Sequence, residues 1–528
     1  MAAGAGETEI GAIGPRAAVE MGSNTAPMLR RRHKPAPAST AIPPAEDGVL
    51  DRLFASEREH PARSGATLVP LGTDAFALRV LSARAAVRSL DLQYYIWHSD
   101  ATGAYLAHEA LLAADRGVRV RLLIDDMDAR SRDGILMALD LHPQIEIRLF
   151  NPFATRSGML RTLMEVFSRG SRLNHRMHNK AWIADGRIAL VGGRNIGDEY
   201  FAASRNVNFV DLDVLLAGDV VTEAARSFDA YWNSASALPI SRLHRTARNW
   251  MTLDEVRQQL HEVLGEREKE EFVQRLQASP RIEDLLTNEL ALDWSGTVTF
   301  VADDPRKPLK QVRELEPGVL QSIYLTFEAA KGELQLMSPY FVPGAGGTSQ
   351  LRRKSESGVR VIVLTNSLAA TDVAAVHAGY SRYRMPLLQA GVQLHELKHA
   401  PEEERDDDRH VRIRVGSSKA SLHTKAAIVD GRRIFVGSFN LDPRSALLNC
   451  EMGVWLDHSR LIQQLTMLFE RGVSRQHSYS VTLDGNSRLT WTETIAGHEV
   501  VHDRDPHASF GRRALSWLLR HLPIESQL

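Results

Sequence analysis

The sequence predicts an α/β protein built from two copies of one layered unit. Three observations point there. Strand-like apolar runs alternate with helix-like stretches, the same series of runs occurs twice at nearly constant spacing, and one polar motif closes each series. In the first unit LDLQYYIW (Leu90 to Trp97) starts the series, and GELQLMSPYFV (from Gly332) starts the second. A helix-like stretch and a second strand follow in each, GVRVRLLIDD from Gly117 and GVRVIVLTNS from Gly358. Third strands are IEIRLF from Ile145 and VQLHEL from Val392. The closing segments are RMHNKAWIADGRIALVGGRN and SLHTKAAIVDGRRIFVGSFN. Gly117 and Gly358 are 241 positions apart, and His178 and His423 are 245 apart. A near-constant offset across four elements marks an internal duplication.

Strand, helix, strand alternation predicts a mainly parallel sheet with helices on its faces. Asp185-Gly186 and Asp430-Gly431 predict hairpin turns, so the later strands are expected to add in antiparallel fashion. The two units are expected at 47–240 and 296–480, with a disordered tail at 1–46, a charged helical connector at 241–295 and a C-terminal segment at 481–528.

Composition narrows the function. Of 528 residues, 43% are hydrophobic and 24% charged, which is ordinary for a globular chain. The net charge of -1 lacks the basic excess of a nucleic-acid-binding protein, so no nucleic-acid partner is expected. The lone cysteine, Cys450, excludes an intrachain disulfide and is expected as a buried small hydrophobe in a strand. No apolar run is long enough to predict a transmembrane helix. The Ala-, Gly- and Pro-rich tail lacks the apolar core of a signal peptide, and its basic cluster Arg30 to Lys34 runs into proline-rich sequence. Near the end, Phe510, Ala514, Trp517, Leu518 and Leu522 can share one helical face, with Arg512, Arg513 and Arg520 towards the others and Pro523 as a stop. Such a helix either lies in a bilayer interface or docks on the domain.

The chemistry sits in the repeated motif. Each copy has His-x-Lys and then an Asp five residues on: His178, Lys180, Asp185 and His423, Lys425, Asp430. Gly192 or Gly437 follows seven residues later, and Asn195 or Asn440 three beyond that. One such match is weak; two, with the same downstream residues and inside a duplication, form a strong signal. Residues i and i+2 of a strand share a face, so each His and its Lys point the same way. Two copies face to face would surround one point with two imidazoles and two ammoniums. One imidazole can attack phosphorus while the other protonates the leaving alkoxide. The lysines, Asn195 and Asn440 can hold the non-bridging oxygens. Gly193 and Ser438 allow close backbone approach, and only Ser438 adds a hydroxyl. Asp211 and Glu451, 240 apart at matching places, are expected to orient the histidines through the second ring nitrogen. Asp185 and Asp430 belong to the catalytic motif by position, but at a hairpin they are expected to fix the turn. The residues alone leave open which histidine is the nucleophile.

The paired motifs resemble those of the phospholipase D superfamily. LQYYIWHSDATG, RGVRVRLLIDD, LFNPF, HNKAWIADG, VGGRNIGDEYF, TNSLAATDVAAVHAGY and GSFNLDPRS further resemble bacterial cardiolipin synthases of the C type. The resemblance covers nearly everything after residue 47 and implies two similar α/β/α sandwich domains with the active site at their interface. It implies no metal and no organic cofactor, with His178 as nucleophile and His423 as general acid. Its expected reaction makes cardiolipin from phosphatidylglycerol and either phosphatidylethanolamine or a second phosphatidylglycerol. It implies peripheral attachment to the bacterial inner membrane on the cytoplasmic side. Two rivals are a phosphodiesterase hydrolysing phospholipid or nucleic acid, and a non-catalytic membrane scaffold.

Other polar and aromatic residues have plainer expectations. Tyr94, Tyr95 and Trp97 suit a strand core, or with Tyr340 and Phe341 the lining of an acyl-chain entrance. Asp125, Asp126 and Asp128 end a strand and are expected to form a turn, not a metal site. Asp372 and His377, five apart on a helix, are poorly spaced for a shared ligand.

Overall fold

The middle parallel strand of each sheet is covered on both faces. Arg119–Asp125 and Arg360–Asn366 are buried almost throughout, as strands covered on both faces must be. The computed structural model describes residues 37–44, 48–53, 64–129, 132–153, 174–243, 251–265, 292–307, 318–399 and 420–522. Most of the tail with the Arg30 to Lys34 cluster, the charged stretch after Gly265, and Pro523 lie outside the described residues.

The first half contributes β1 (Ser64–Val69), β2 (Ser89–Tyr94), β3 (Arg119–Asp125), β4 (Ile145–Phe150), β5 (Ala181–Ala184), β6 (Ile188–Gly192), β7 (Asn208–Val210), β8 (Asp213–Gly218) and β9 (Ala237–Pro239). All but β7 join one sheet in the order β1-β8-β6-β5-β2-β3-β4-β9. The second half contributes β10 (Val298–Ala302), β11 (Glu333–Met337), β12 (Arg360–Asn366), β13 (Gln393–Leu397), β14 (Ala420–Leu422), β15 (Ala426–Val429), β16 (Arg433–Gly437), β17 (Met452–Leu456), β18 (Ser478–Leu483), β19 (Leu489–Ile495) and β20 (His498–His502). Their sheet runs β10-β17-β16-β15-β11-β12-β13-β18-β19-β20. The first eight positions repeat the first sheet strand for strand. β2, β3 and β4 are parallel, as are β11, β12 and β13, and every other pairing in the two sheets is antiparallel.

The hairpins β5–β6 and β15–β16 turn where expected. Asp185 and Gly186 have φ of 51° and 63°, and Asp430 and Gly431 have 53° and 59°. Two consecutive positive φ values match the twist of an antiparallel pair, and glycine adopts the second without a Cβ penalty. Each Asp also serves the neighbouring strand. Asp185 accepts the amides of Val87, Arg88 and Ser89 where the chain enters β2, and Asp430 accepts those of Lys331, Gly332 and Glu333 where it enters β11.

The two halves share a core. The helix Asp219–Trp232 packs on β2, β5, β6 and β8 and also touches β10 of the other half. Its counterpart Ser459–Val473 covers β12, β13, β15, β16 and β18 and touches β1. Phe228 and Trp232 of one helix join Leu465 and Phe469 of the other in a single cluster with Val214, Val436 and Val454. Separating the halves would expose these side chains, at roughly 1.5–3 kcal/mol each. Residues Ala38–Leu528 accordingly form one unit. A parallel β7–β14 ladder and an isolated Met177–Cys450 bridge add backbone stitches between the halves. Cys450 is buried, though it lies just before β17 and not inside a strand. The C-terminal segment from 481 is not separate from the second sheet, because it supplies β19 and β20 at the edge.

Candidate active site

His178, Asn179 and Lys180 lead directly into β5, which begins at Ala181. Their backbone is held by the opposite half: the His178 amide donates to the Cys450 carbonyl at 2.8 Å. The second motif mirrors this, with the His423 amide donating to the Val210 carbonyl at 2.8 Å. Side chains cross in the same sense. His178 Nδ1 lies 3.0 Å from Glu451 Oε2, and His423 Nδ1 lies 2.6 Å from Asp211 Oδ2. Each imidazole therefore has its orienting carboxylate from the other half. A proton shared between Nδ1 and a carboxylate leaves the lone pair on Nε2, the tautomer a nucleophile or base requires. Lys180 and Lys425 donate back to the carbonyls of His178 and His423, each at 2.5 Å, and the Lys425 ammonium also lies 3.0 Å from His423 Nδ1.

Aromatic rings fix the imidazoles from the side. Tyr95 meets the His178 ring edge-on with centroids 5.0 Å apart, and the Lys180 ammonium lies 5.4 Å from the same Tyr95 ring. Phe209 stacks on His423 at 4.9 Å and Tyr200 meets it edge-on at 5.2 Å.

Burial dominates the electrostatics. It pulls the His178 imidazole down to about 4, Glu451 pulling the other way, with the Lys180 and Lys425 charges adding to the depression. His423 is lowered by burial and then by Lys425, against the pull of Asp211, and Lys180 of the other half adds to it. Burial takes Lys180 well below its ordinary value and Lys425 down to about 8. Burial alone would raise Glu451 and Asp211. The His178 partnership outweighs it for Glu451, as the His423 partnership does for Asp211, and both lie below the usual carboxylate range. Charges of each half thus act on the histidine of the other, and the site holds two ionised carboxylates beside two neutral imidazoles near neutral pH. An entering phosphodiester anion would favour the charged form of both lysines.

The remaining predicted residues fall into different roles. Asp185 and Asp430 stand at the far ends of β5 and β15, where each accepts three backbone amides, the turn-fixing place expected of them. Gly193 makes room for a carboxylate, since a Cβ there would lie 2.2 Å from Asp211 Oδ1. At the matching position the Ser438 hydroxyl donates to Glu451 Oε2 at 2.5 Å and accepts the Met452 amide, while the Ser438 carbonyl lies 3.1 Å from His178 Nδ1. The Gly-to-Ser difference between the copies is thus a difference in how each carboxylate is held. Asn195 accepts the Ile96 amide and donates to the Tyr200 hydroxyl at 2.8 Å, so it meets the centre through the ring that abuts His423. Asn440 is buried with its side-chain oxygen unpartnered among the described residues.

Sequence reasoning missed Tyr200 and Phe209, although GDEYF lies directly after the motif. It also missed what Asp125 does. Asp125 accepts the Met177 amide at 2.8 Å and pairs with Arg176, which anchors the segment just before His178. Asp126 accepts the Phe153 amide. Tyr94 and Trp97 are buried core residues, with Trp97 Nε1 donating to the Gly103 carbonyl. Phe341 packs on Tyr380, and the Tyr340 hydroxyl donates to Asp372 at 2.6 Å. His377 points elsewhere, beside the Arg384 guanidinium.

Both halves match known proteins. The family described as cardiolipin synthase, PLD-like domain, matches residues 82–232 and again 324–473. Cardiolipin synthase C of Escherichia coli (strain K12) is 40% identical over 470 residues, spanning 88% of this chain and 97% of that protein. A cardiolipin synthase of Listeria monocytogenes serotype 4b (strain CLIP80459) is 25% identical over 414 residues, with 78% of this chain and 69% of the relative covered. The crystal structure of phosphatidylserine synthase from Haemophilus influenzae Rd KW20 superposes with a TM-score of 0.52 at 14% identity, covering 81% of this chain and 92% of that one, a likeness of fold. With two matched repeats and a full-length relative at this identity, the chain belongs to the cardiolipin synthase family of phospholipase D-like enzymes.

Proposed function

We propose that this chain is a phosphatidyltransferase that makes cardiolipin at a membrane surface through a phosphohistidine. The observation that carries the mechanism is the pair of crossed dyads, His178 with Glu451 and His423 with Asp211. In the first step His178 Nε2 forms a bond to the phosphorus of a phospholipid. The P–O bond to the headgroup alcohol breaks, and His423, which takes up a proton as the phosphodiester anion beside it favours the charged imidazole, supplies that proton to the departing alkoxide. In the second step the terminal hydroxyl of phosphatidylglycerol gives its proton to His423 and its oxygen attacks phosphorus. The P–N bond breaks, which returns neutral His178 and releases cardiolipin. Lys180 and Lys425 hold the non-bridging oxygens in both steps. Phosphatidylethanolamine as donor would release ethanolamine; phosphatidylglycerol would release glycerol. The choice of a lipid hydroxyl over water as acceptor rests on the likeness to cardiolipin synthase C.

Mass spectrometry of defined vesicles after incubation with purified protein tests the acceptor. Cardiolipin should form only when phosphatidylglycerol is present. Phosphatidic acid as the sole product, with or without phosphatidylglycerol, would replace transfer by hydrolysis.

Acidity provides a separate check. His178 titrates near 4 in the fold, so it stays unprotonated well below the ordinary imidazole value. The burst of phenol from an aryl phosphodiester, whose leaving group needs no proton from His423, should hold its rate constant from about pH 7 to about pH 5 and fall only beyond, as read by rapid quench. A half-loss near the ordinary imidazole value, about 6.5, would assign the nucleophile to another group. Stability behaves differently. The unfolded chain takes up this proton at about 6.5 and the folded one only near 4, so acid favours unfolding across that interval and stability falls as pH falls.

A further inference from the structure

The helix Phe510–Arg520 sits the wrong way round for a docked surface helix. Such a helix normally turns its apolar stripe to the core and its charges to water. Here Ser516 is the buried residue, while Phe510 is 83% exposed, Trp517 65% and Leu518 54%. The polar side makes the attachments. Arg512 donates to the Thr371 carbonyl, Arg513 to the Asp505 carbonyl at 3.2 Å, and Arg382 to the Arg520 carbonyl at 2.8 Å. The helix packs along Ala374–Ser381, and the Ser509 side chain caps it by accepting the Arg512 amide. It is therefore a well-formed element, and its apolar face is exposed although the helix is docked.

Its place links it to the active site. Thr371, which receives Arg512, is followed by Asp372, whose carboxylate accepts the Tyr340 hydroxyl and whose charge acts on the Lys425 ammonium. Val373, next in the chain, is exposed as well. An apolar, aromatic-bearing face with arginines at its margins, one carboxylate away from a catalytic lysine, matches a surface that is apolar within and anionic at its rim.

We propose that the helix Phe510–Arg520 is the bilayer-docking element of this protein, laying Phe510, Trp517 and Leu518 into the interface of a membrane that carries anionic phospholipid. The aromatic side chains sit at headgroup depth, and the exposed Arg520 faces lipid phosphates. Docking there sets the active site against the surface from which its substrate must come. This inference rests on the lipid-substrate reading above.

The test is full-length protein carrying Phe510→Ser, Trp517→Ser and Leu518→Ser together, compared with wild type in two assays. One is co-sedimentation with phosphatidylcholine vesicles, with and without about a third of phosphatidylglycerol. The other is turnover of short-chain phosphatidylglycerol kept monomeric in solution. All three side chains are exposed, so the fold should survive. The variant should lose more than about tenfold in binding to the anionic vesicles, while its turnover of monomeric lipid stays within about twofold. Arg520→Glu should weaken binding to the anionic vesicles and leave the neutral ones unchanged. Unchanged sedimentation of the triple variant would overturn the proposal, as would an equal collapse of turnover on monomeric lipid, which would make the helix part of the catalytic fold. Loss of a dimer in the absence of vesicles, with sedimentation retained, would assign the face to a second copy of this chain and overturn it too. Wild type that sediments with vesicles but turns over neither form of lipid would instead defeat the lipid-substrate reading.

Discussion

His178→Ala should lower cardiolipin formation by at least about a thousandfold and abolish any burst, because no other group in the site can take the phosphatidyl group from its position. The loss exceeds that of an ordinary general acid, since both steps pass through the bond that His178 makes. His423→Ala separates the roles. With an aryl phosphodiester the phenolate leaves without a proton, so the first step no longer needs His423. His423→Ala should then release one equivalent of phenol per enzyme and stall, because nothing deprotonates the acceptor. His178→Ala should release none. The reverse outcome would make His423 the nucleophile. Rapid-quench measurement of phenol, with mass spectrometry of the trapped enzyme, reads both variants directly.

The second large effect concerns the crossed carboxylates. Glu451→Gln should cost about 100- to 10,000-fold in the first step. An amide offers an N–H to Nδ1 as readily as it accepts one, so the imidazole can hold its proton on Nε2 and lose its nucleophilic lone pair. Asp211→Asn should act on His423 by the same logic. The pattern is diagnostic because the partners are exchanged between halves: Glu451→Gln should remove the aryl burst, whereas Asp211→Asn should keep the burst and slow the second displacement. If each carboxylate served the histidine of its own half, the two results would trade places. Thermal unfolding should move little in Asp211→Asn, because the Leu212 amide donates to the Asp211 oxygen that does not meet His423 and can still donate to Asn. Glu451→Gln should lower it more, because His178 and the Ser438 hydroxyl meet the same oxygen, and an amide that turns its N–H to the ring leaves that hydroxyl only the Met452 carbonyl, 3.3 Å away.

Much of this architecture is local information. The alternation of strand-like and helix-like stretches placed β2, β3 and β4 and their counterparts, because every second residue of a strand such as IEIRLF or QLHEL faces the same way. The Asp-Gly pairs located two hairpins, because few residues accept positive φ twice in succession. The motif located the histidines and lysines, and i, i+2 spacing put each pair on one side of its chain. The aspartates of that motif are legible only halfway: position groups them with the catalytic residues, while the amides they collect at 87–89 and 331–333 lie almost a hundred residues away.

What the chain determined by itself is therefore the repeat, the strands within each copy and the identity of the groups available for phosphoryl transfer. Only the tertiary structure decided which carboxylate meets which imidazole, His178 and Glu451 being 273 positions apart and His423 and Asp211 212 apart. It also decided that the helix Phe510–Arg520 docks by its arginine-bearing side, since an amphipathic pattern defines a stripe but not what lies against it. The physical reason is common to both. Periodicity and turn chemistry act over a few residues, whereas the pairing of two similar copies depends on how Phe228, Trp232, Leu465 and Phe469 close one shared core.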